Sequence, residues 1–373
     1  MSDADNHPLE PYDGILLLSF GGPEKPEDVL PFLRTVTAGK GIPDERLEEV
    51  GQHYYGFGGR SPINDQNRAL LAALRAELDR RGIATPLVWG NRNFTPFTVE
   101  ALTDAAERGM SRLVTVVTSA YSSYSSCRQY REDLARAQQE AAEAGHEIAV
   151  DKVRPYANHP GFSRANSRLV TEAVRGLLRD GVDPTGIRLL FVTHSIPTAM
   201  DDTSGPGDED GNAYGRQHLT LGAAITDEVN ATLDTDLEGG LAFCSRSGPP
   251  SQPWLEPDVN DRLAELAAEG ASTVVVAPIG FVSDHMEVVY DLDTEAAATA
   301  QRLGLRLVRV PTVGTDPEFV SGLVDLIEER AAEARGEDPA RPAWPGRAAM
   351  PSVCAPGCCP NLRQARPALC GRD

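Results

Sequence analysis

The sequence predicts an α/β protein in two similar halves, each built on a four-stranded parallel sheet flanked by helices. Three observations carry that reading. Short β-branched runs alternate with longer amphipathic stretches along the whole chain. The runs fall into two sets of four. A length of 373 residues exceeds one ordinary domain and suits two of about 150 residues each.

Taken in order, the first four runs are 15–20, 87–90, 113–118 and 147–153, and the next four are 189–193, 240–244, 273–278 and 305–310. Helix-like segments at 65–81, 129–144, 163–179 and 258–268 lie between them. The two sets divide near residues 155–185, and a single eight-stranded sheet is the alternative arrangement. A last helix over 317–335 shows an apolar face of Phe319, Val320, Leu323, Val324 and Ile327 and is expected to pack back on the body. The stretch after it is rich in Pro and Ala and aperiodic. Residues 341–373 carry five Arg and one Asp. Such a tail cannot form a core of its own, so it is either disordered or ordered by whatever its cysteines bind.

Composition narrows the function. Hydrophobic residues make up 41% and charged residues 24%, as in a core-forming globular protein. Asp plus Glu outnumber Lys plus Arg by 55 to 35, a formal charge of −20. So acidic a body repels phosphate backbones and argues against nucleic acid as a general partner. The most apolar stretch, 272–282, is interrupted by Pro278 and Gly280, so no membrane span is expected. The opening MSDADNHPLEPYDG lacks the basic start and apolar core of a signal peptide, and the expected location is the cytoplasm.

Ligands of parallel α/β sheets bind beyond the carboxyl ends of the strands, and the unusual residues collect there. Phe20-Gly21-Gly22-Pro23 follows the first strand, SAYSSYSSCRQY (119–130) the third, His194-Ser195-Ile196-Pro197 the fifth and Asp284-His285-Met286-Glu287 the seventh. A lone His194 at a strand end is often structural. With His285 and Glu287 on the same rim it suits a divalent first-row metal, or a general base beside one. Glu287, Asp291 and Glu295 are spaced i, i+4, i+8. On a helix over 284–297 they form one acidic face, which is either solvated or a path that hands a hard cation inward.

Six cysteines are present, four of them (Cys354, Cys358, Cys359, Cys370) in the last twenty residues. In a cytosolic chain this clustering points to a metal or iron–sulfur site rather than to disulfides. The spacing is not that of a zinc ribbon. A [2Fe–2S] cluster needs four thiolates, and Cys127 is the natural body cysteine to join three from the tail. Free thiols in a loose tail are the alternative. Cys244, at a strand end, reads as a buried core thiol.

Together LLLSFGGPEKPEDVLPFL, FGGRSPIN, GNRNFTP, THSIP, SRSGPPSQPWLEPD and GFVSDHMEVVYDLD resemble the ferrochelatase family, most of all its actinobacterial coproporphyrin branch. The resemblance implies two Rossmann-like, chelatase-like halves at 12–170 and 171–336, with 337–373 as an iron–sulfur-ligating tail. It implies a lyase-type chelatase of haem biosynthesis that inserts ferrous iron into coproporphyrin III. The alternatives are a protoporphyrin IX enzyme, a chelatase for another ring or metal, an iron–sulfur sensor, or a non-catalytic porphyrin or haem carrier.

By the same resemblance, His194 and Glu287 are the catalytic and Fe²⁺-binding pair, Asp291 and Glu295 the metal path, and Ser61 and Tyr130 the porphyrin contacts. No axial ligand is assigned in the loop holding Phe20 and Glu24. Cys127, Cys354, Cys358 and Cys359 are the implied [2Fe–2S] ligands, with Cys370 as a replacement. Arg34, Lys40, Arg60 and Arg92 are nearby candidates for holding propionates. The expected partners are coproporphyrin III, ferrous iron and the downstream coprohaem-processing enzyme, with a monomeric chain.

Overall fold

A computed structural model describes residues 8–39, 41–205, 211–249, 251–346 and 348–369. Its strands are β1 (Gly14–Ser19), β2 (Leu87–Asn91), β3 (Arg112–Val117), β4 (Ala149–Lys152), β5 (Ile187–His194), β6 (Glu238–Cys244), β7 (Thr273–Ala277) and β8 (Arg306–Arg309). They pair in parallel as two four-stranded sheets, in the orders β2-β1-β3-β4 and β6-β5-β7-β8. The single-sheet alternative is therefore ruled out, and both halves repeat one winding order. In each, the chain reverses direction of progress beside the first strand, which leaves a crevice at the strand ends.

The central strands are buried on both faces. Ile15 and Leu17 of β1 face the large core between the sheets, while Leu16 and Leu18 face an outer one. In β5, Leu189 and Phe191 face the same large core and Leu190 and Val192 a third. This two-sided burial is why the strands read as unbroken apolar runs rather than as alternation. Helices Ile63–Arg80, Pro160–Arg179, Ala213–Leu233 and Pro317–Ala334 contribute to the shared core. Helices Thr98–Glu107 and Gln129–Glu143 cover the first sheet's other face, and Val259–Ala268 and Ala297–Leu303 that of the second.

Helix Pro160–Arg179 carries the chain across position 170 without a break. It crosses the last helix backbone to backbone, since a Cβ placed on Gly161 would lie 2.7 Å from the Cα of Gly322. The last helix buries Phe319, Val320, Leu323, Val324 and Ile327 and packs against helices Ile63–Arg80 and Pro160–Arg179 and against β3. A buried ion pair fixes its register. Arg154 Nε lies 2.7 Å from Glu329 Oε1, with the two side chains 0% and 5% exposed. Arg154 Nη2 also donates to the carbonyl of Pro342 at 3.0 Å, so one guanidinium joins the first half, the last helix and the start of the tail. No helix among the described residues is long and apolar enough to cross a membrane.

Removing one partner of such a pair strands a buried charge. Glu329→Gln is expected to lower stability by about 3–5 kcal/mol, read from urea unfolding. A paired Arg154→Met, Glu329→Leu replacement should recover much of that loss. A Glu329→Gln protein as stable as the parent would show that the pair does not hold the last helix.

Candidate functional site

The two rim residues singled out in the second half come from adjacent strands. His194 ends β5, and the chain beyond its neighbour β7 turns into helix Met286–Tyr290. The turn lies hard against the end of β5. A Cβ on Gly280 would come within 2.1 Å of Thr193 Oγ1, so the approach requires glycine. His194 Nε2 and Glu287 Oε2 are thereby set 3.6 Å apart. His285 Nδ1 lies 3.9 Å from the same oxygen, its ring edge-on to Phe281.

The orientation of His194 is fixed from behind. Its Nδ1 contacts the carbonyl oxygen of Ser195. A carbonyl only accepts, so Nδ1 carries a proton and donates it here, which leaves Nε2 as the ring nitrogen that faces Glu287. The carbonyl of His194 accepts from the Tyr214 hydroxyl at 2.9 Å, and that hydroxyl lies 2.6 Å from Thr193 Oγ1.

The acidic file continues from this pair, but not on the uniform helix expected over 284–297. Helix Met286–Tyr290 passes into a π-helical turn at Asp291–Ala296 and then into helix Ala297–Leu303. The regular α-helical face is corrected accordingly: Asp291 and Glu295 stand on a widened turn, a feature that recurs at functional sites. Burial pushes the Asp291 carboxyl up to about 7, assisted by the charges of Glu287 and Glu295 and opposed by the hydroxyl of Ser245. Ser245 donates Oγ to Asp291 Oδ2. It does so from a backbone φ of 61°, a left-handed conformation costing a non-glycine residue about 1–2 kcal/mol. The Cys244 thiol beside it is buried, as expected of a core thiol, and burial and the Asp291 charge raise its pKa well above the usual range.

The first half closes on the same file through helix Asp44–Tyr55. The His53 ring stacks on Tyr290 at 3.8 Å and 8°. Burial and the nearby charges of Glu287 and Asp291 keep the Tyr54 hydroxyl protonated far above its usual range. Sequence reasoning missed His53, Tyr54, Tyr214 and Ser245. Only Ser245 left a trace, inside the SRSGPP motif.

The other predicted residues are placed differently. Ser61 is buried below the 20–24 loop; its amide donates to the carbonyl of Pro23 at 2.9 Å, and its hydroxyl accepts from the amide of Ile63. Tyr130 is buried beneath the Arg92 guanidinium, 4.5 Å from its ring. Arg92 is itself paired with Asp133 at 2.5 Å. Arg34 and Arg60 are exposed and paired with Asp44 and Asp65. Lys40 lies outside the described residues.

The tail is laid on the body. Cys127, Cys354, Cys358 and Cys359 are all buried, while Cys370 lies outside the described residues. Cys354, Cys358 and Cys359 lie near enough to one another to couple their ionisation, and the charge of Cys127 acts on Cys354 and Cys359. The neighbouring thiols lower the pKa of Cys358, with help from Arg131 and Arg128; the same coupling and burial raise those of Cys354 and Cys359. Arg131 Nη1 donates to Cys358 Sγ at 3.2 Å, and the amide of Gly205 to Cys359 Sγ at 3.1 Å. Among the described residues, no three or more His, Cys, Asp or Glu side chains converge as ligands of a single metal ion.

A parallel two-sheet α/β protein that sets an imidazole beside carboxylates at the strand ends has the donor types that a metal-handling α/β enzyme uses. Comparison with known proteins narrows the class. The family model described as ferrochelatase matches residues 12–331. A coproporphyrin III ferrochelatase from Leifsonia xyli subsp. xyli is 51% identical over 380 residues, covering 98% of this chain and 96% of that protein. One from Streptomyces coelicolor is 51% identical over 372 residues, covering 97% of each. Among solved structures, the cobalt complex of the sirohydrochlorin chelatase SirB from Bacillus subtilis subspecies spizizenii has a TM-score of 0.47 at 12% identity, over 87% of this chain and 97% of that one. The chain belongs to the ferrochelatase family and is an enzyme.

The raised Asp291 pKa links stability to pH. The folded value, about 7, lies above the roughly 3.9 of an unfolded aspartate. Its stabilising contribution is therefore complete below about pH 4 and is lost as pH rises to 7. Asp291→Asn, which mimics the protonated side chain, should become more stable than the parent across that interval. The gap should open to about 2–4 kcal/mol and stay level above pH 7. Thermal unfolding from pH 4 to 8.5 tests this, and a gap independent of pH would contradict it.

Proposed function

We propose that this chain inserts Fe²⁺ into coproporphyrin III to give Fe-coproporphyrin III, a step of haem biosynthesis. The observation that carries the reading is His194 Nε2 held 3.6 Å from the Glu287 carboxylate, at the end of an acidic file. The two relatives, both coproporphyrin III ferrochelatases, support the choice of ring. Fe²⁺ entering the macrocycle displaces two pyrrole protons. A planar free base resists metal because its nitrogens point inward, so a cleft that bends the ring exposes a lone pair and lowers the barrier. His194 Nε2 then accepts one pyrrole proton, and Glu287, once it has released the Fe²⁺ that Asp291 and Glu295 passed inward, accepts the second.

Ser61 and Tyr130 are proposed as porphyrin contacts reached through the loop they support. Supporting this, Ser61 holds Pro23, and the Arg92 that covers Tyr130 also lies 5.9 Å from the Phe20 ring. The organisation at 12–170, 171–336 and 337–373 belongs to the same proposal, as does a monomer working in the cytoplasm and passing its product to a coprohaem-processing enzyme.

The test is anaerobic metallation of coproporphyrin III and protoporphyrin IX in parallel, followed by porphyrin absorption. Multiple turnovers with a preference for coproporphyrin are expected. His194→Ala should lower turnover by about 10²-fold or more and leave porphyrin binding largely intact. Binding without turnover would favour the carrier reading, and a fully active His194→Ala enzyme would remove that residue from the mechanism.

We further infer that Cys127, Cys354, Cys358 and Cys359 hold a [2Fe–2S] cluster. The donor set fits. Cys127, Cys354, Cys358 and Cys359 are all buried, the buried Arg131 and Arg128 offset thiolate charge, and an amide points at Cys359. Each iron of such a cluster takes two of the four thiolates, so three ligands converging on one point are not required. When bound, the cluster supplies a redox-active link between tail and body. Cys354→Ser should abolish the visible absorption and circular dichroism of the protein as isolated, whereas an unchanged spectrum would discard this ligand set.

A further inference from the structure

The helix Ile63–Arg80 begins in the first half and reaches both sides of the rim within its first turn. Asn64 Nδ2 donates to the carbonyl of Gly22 at 2.8 Å and to Glu24 Oε1 at 3.1 Å, holding the loop after β1. Two residues on, Gln66 crosses to the second half. Its Nε2 donates to the Asp284 carbonyl at 2.9 Å, and its Oε1 accepts from the Asp284 amide at 2.8 Å. One side-chain amide thus satisfies both main-chain groups of a residue in the other half, as a neighbouring strand would. The pairing works in only one orientation of the amide, because a carbonyl cannot donate and an N–H cannot accept.

We propose that Gln66 is a positioning residue for metal insertion: it fixes the segment that launches the Glu287 helix and so sets Glu287 against His194. Asp284 is the last residue but one before helix Met286–Tyr290. Its carboxylate is anchored separately, by Arg309 at 2.6 Å. The amide of His285 bonds back to Ser283, and the carbonyl of His285 accepts the amide of Val289. The Gln66 bonds therefore set where the helical turn starts, and Glu287 is only three residues beyond Asp284. Because the clamp comes from the opposite half, it ties the metal carboxylate to the same helical turn that holds the Gly22–Glu24 loop. A small displacement of reacting groups costs rate, so loosening this tie slows iron transfer and weakens use of Fe²⁺ while leaving porphyrin binding alone.

The inference rests on the metallation reading above. Its test compares full-length wild-type protein with Gln66→Met, which keeps the length and loses both hydrogen bonds, and with Gln66→Glu, which keeps only the bond from the Asp284 amide. Fe²⁺ and coproporphyrin III are varied separately in steady-state metallation, porphyrin affinity is measured without metal, and amide exchange is followed over 283–290. For Gln66→Met the expected result is a roughly 3–10-fold rise in KM for Fe²⁺ with a lower kcat, porphyrin affinity within about twofold, and faster exchange over 283–290. Gln66→Glu should fall between the two. A purely structural role would lower thermal stability and leave the ratio of the two KM values unchanged, which overturns the proposal. So does a Gln66→Met enzyme with wild-type Fe²⁺ kinetics. A wild-type protein that metallates neither porphyrin would overturn the activity reading and this one with it.

Discussion

A parallel strand buried on both faces has no room for a charge along its length, so its polar chemistry must gather where it ends. The molecule is organised by that constraint. β1 and β5 are apolar on both sides, packed into the core between the sheets and into an outer core. Each is the strand about which its half is wound, with a neighbour on either side. His194 is the final residue of β5, and Glu287 follows the adjacent β7, so strand adjacency brings the two to the same rim. Gly280 lets the turn after β7 close over Thr193, and the Gln66 bonds to Asp284 fix the start of the Glu287 helix.

Charge is then distributed against its own preference at two places. On the rim, an already acidic protein sets Glu287, Asp291 and Glu295 together, and Asp291 responds by holding its proton to about pH 7. A dication arriving at such a site relieves repulsion that the fold otherwise has to bear. At the tail the sign is reversed. Arg131, 2% exposed, donates to Cys358 and gives two further hydrogen bonds to the carbonyl of Leu369. Its buried guanidinium is thereby paired by a thiol and a main-chain carbonyl of the tail.

The strands were legible because two-sided burial writes itself as β-branched runs, and the last helix because its apolar face is periodic. His194 and Glu287 were legible because strand ends can be located once strands are. The π-helical turn was not, since DLDTEA has the same spacing whether it winds as an α- or a π-helix. Nor were Ser245, Tyr54 and Gln66. Each meets the rim through a contact across a large sequence separation, such as the 218 residues between Gln66 and Asp284, and no local pattern encodes such a partner. The buried positions of Ser61 and Tyr130 belong to the same class. A serine or tyrosine in a rim motif gives no sign of which way it faces.

The tail also braces the strand end that carries His194. The amide of Gly205 bonds to Cys359, and the adjoining Ser204 Oγ accepts the amide of Tyr214. The Tyr214 hydroxyl, fully buried, donates to the carbonyl of His194. Every link is a hydrogen bond between buried or half-buried groups, where an unmade bond is expensive. Tyr214 therefore cannot satisfy both its ends unless the Ser204–Gly205 turn keeps its place, and that turn is held on its far side by a tail cysteine. The aperiodic tail, which has no core of its own, so becomes part of the wall behind the histidine.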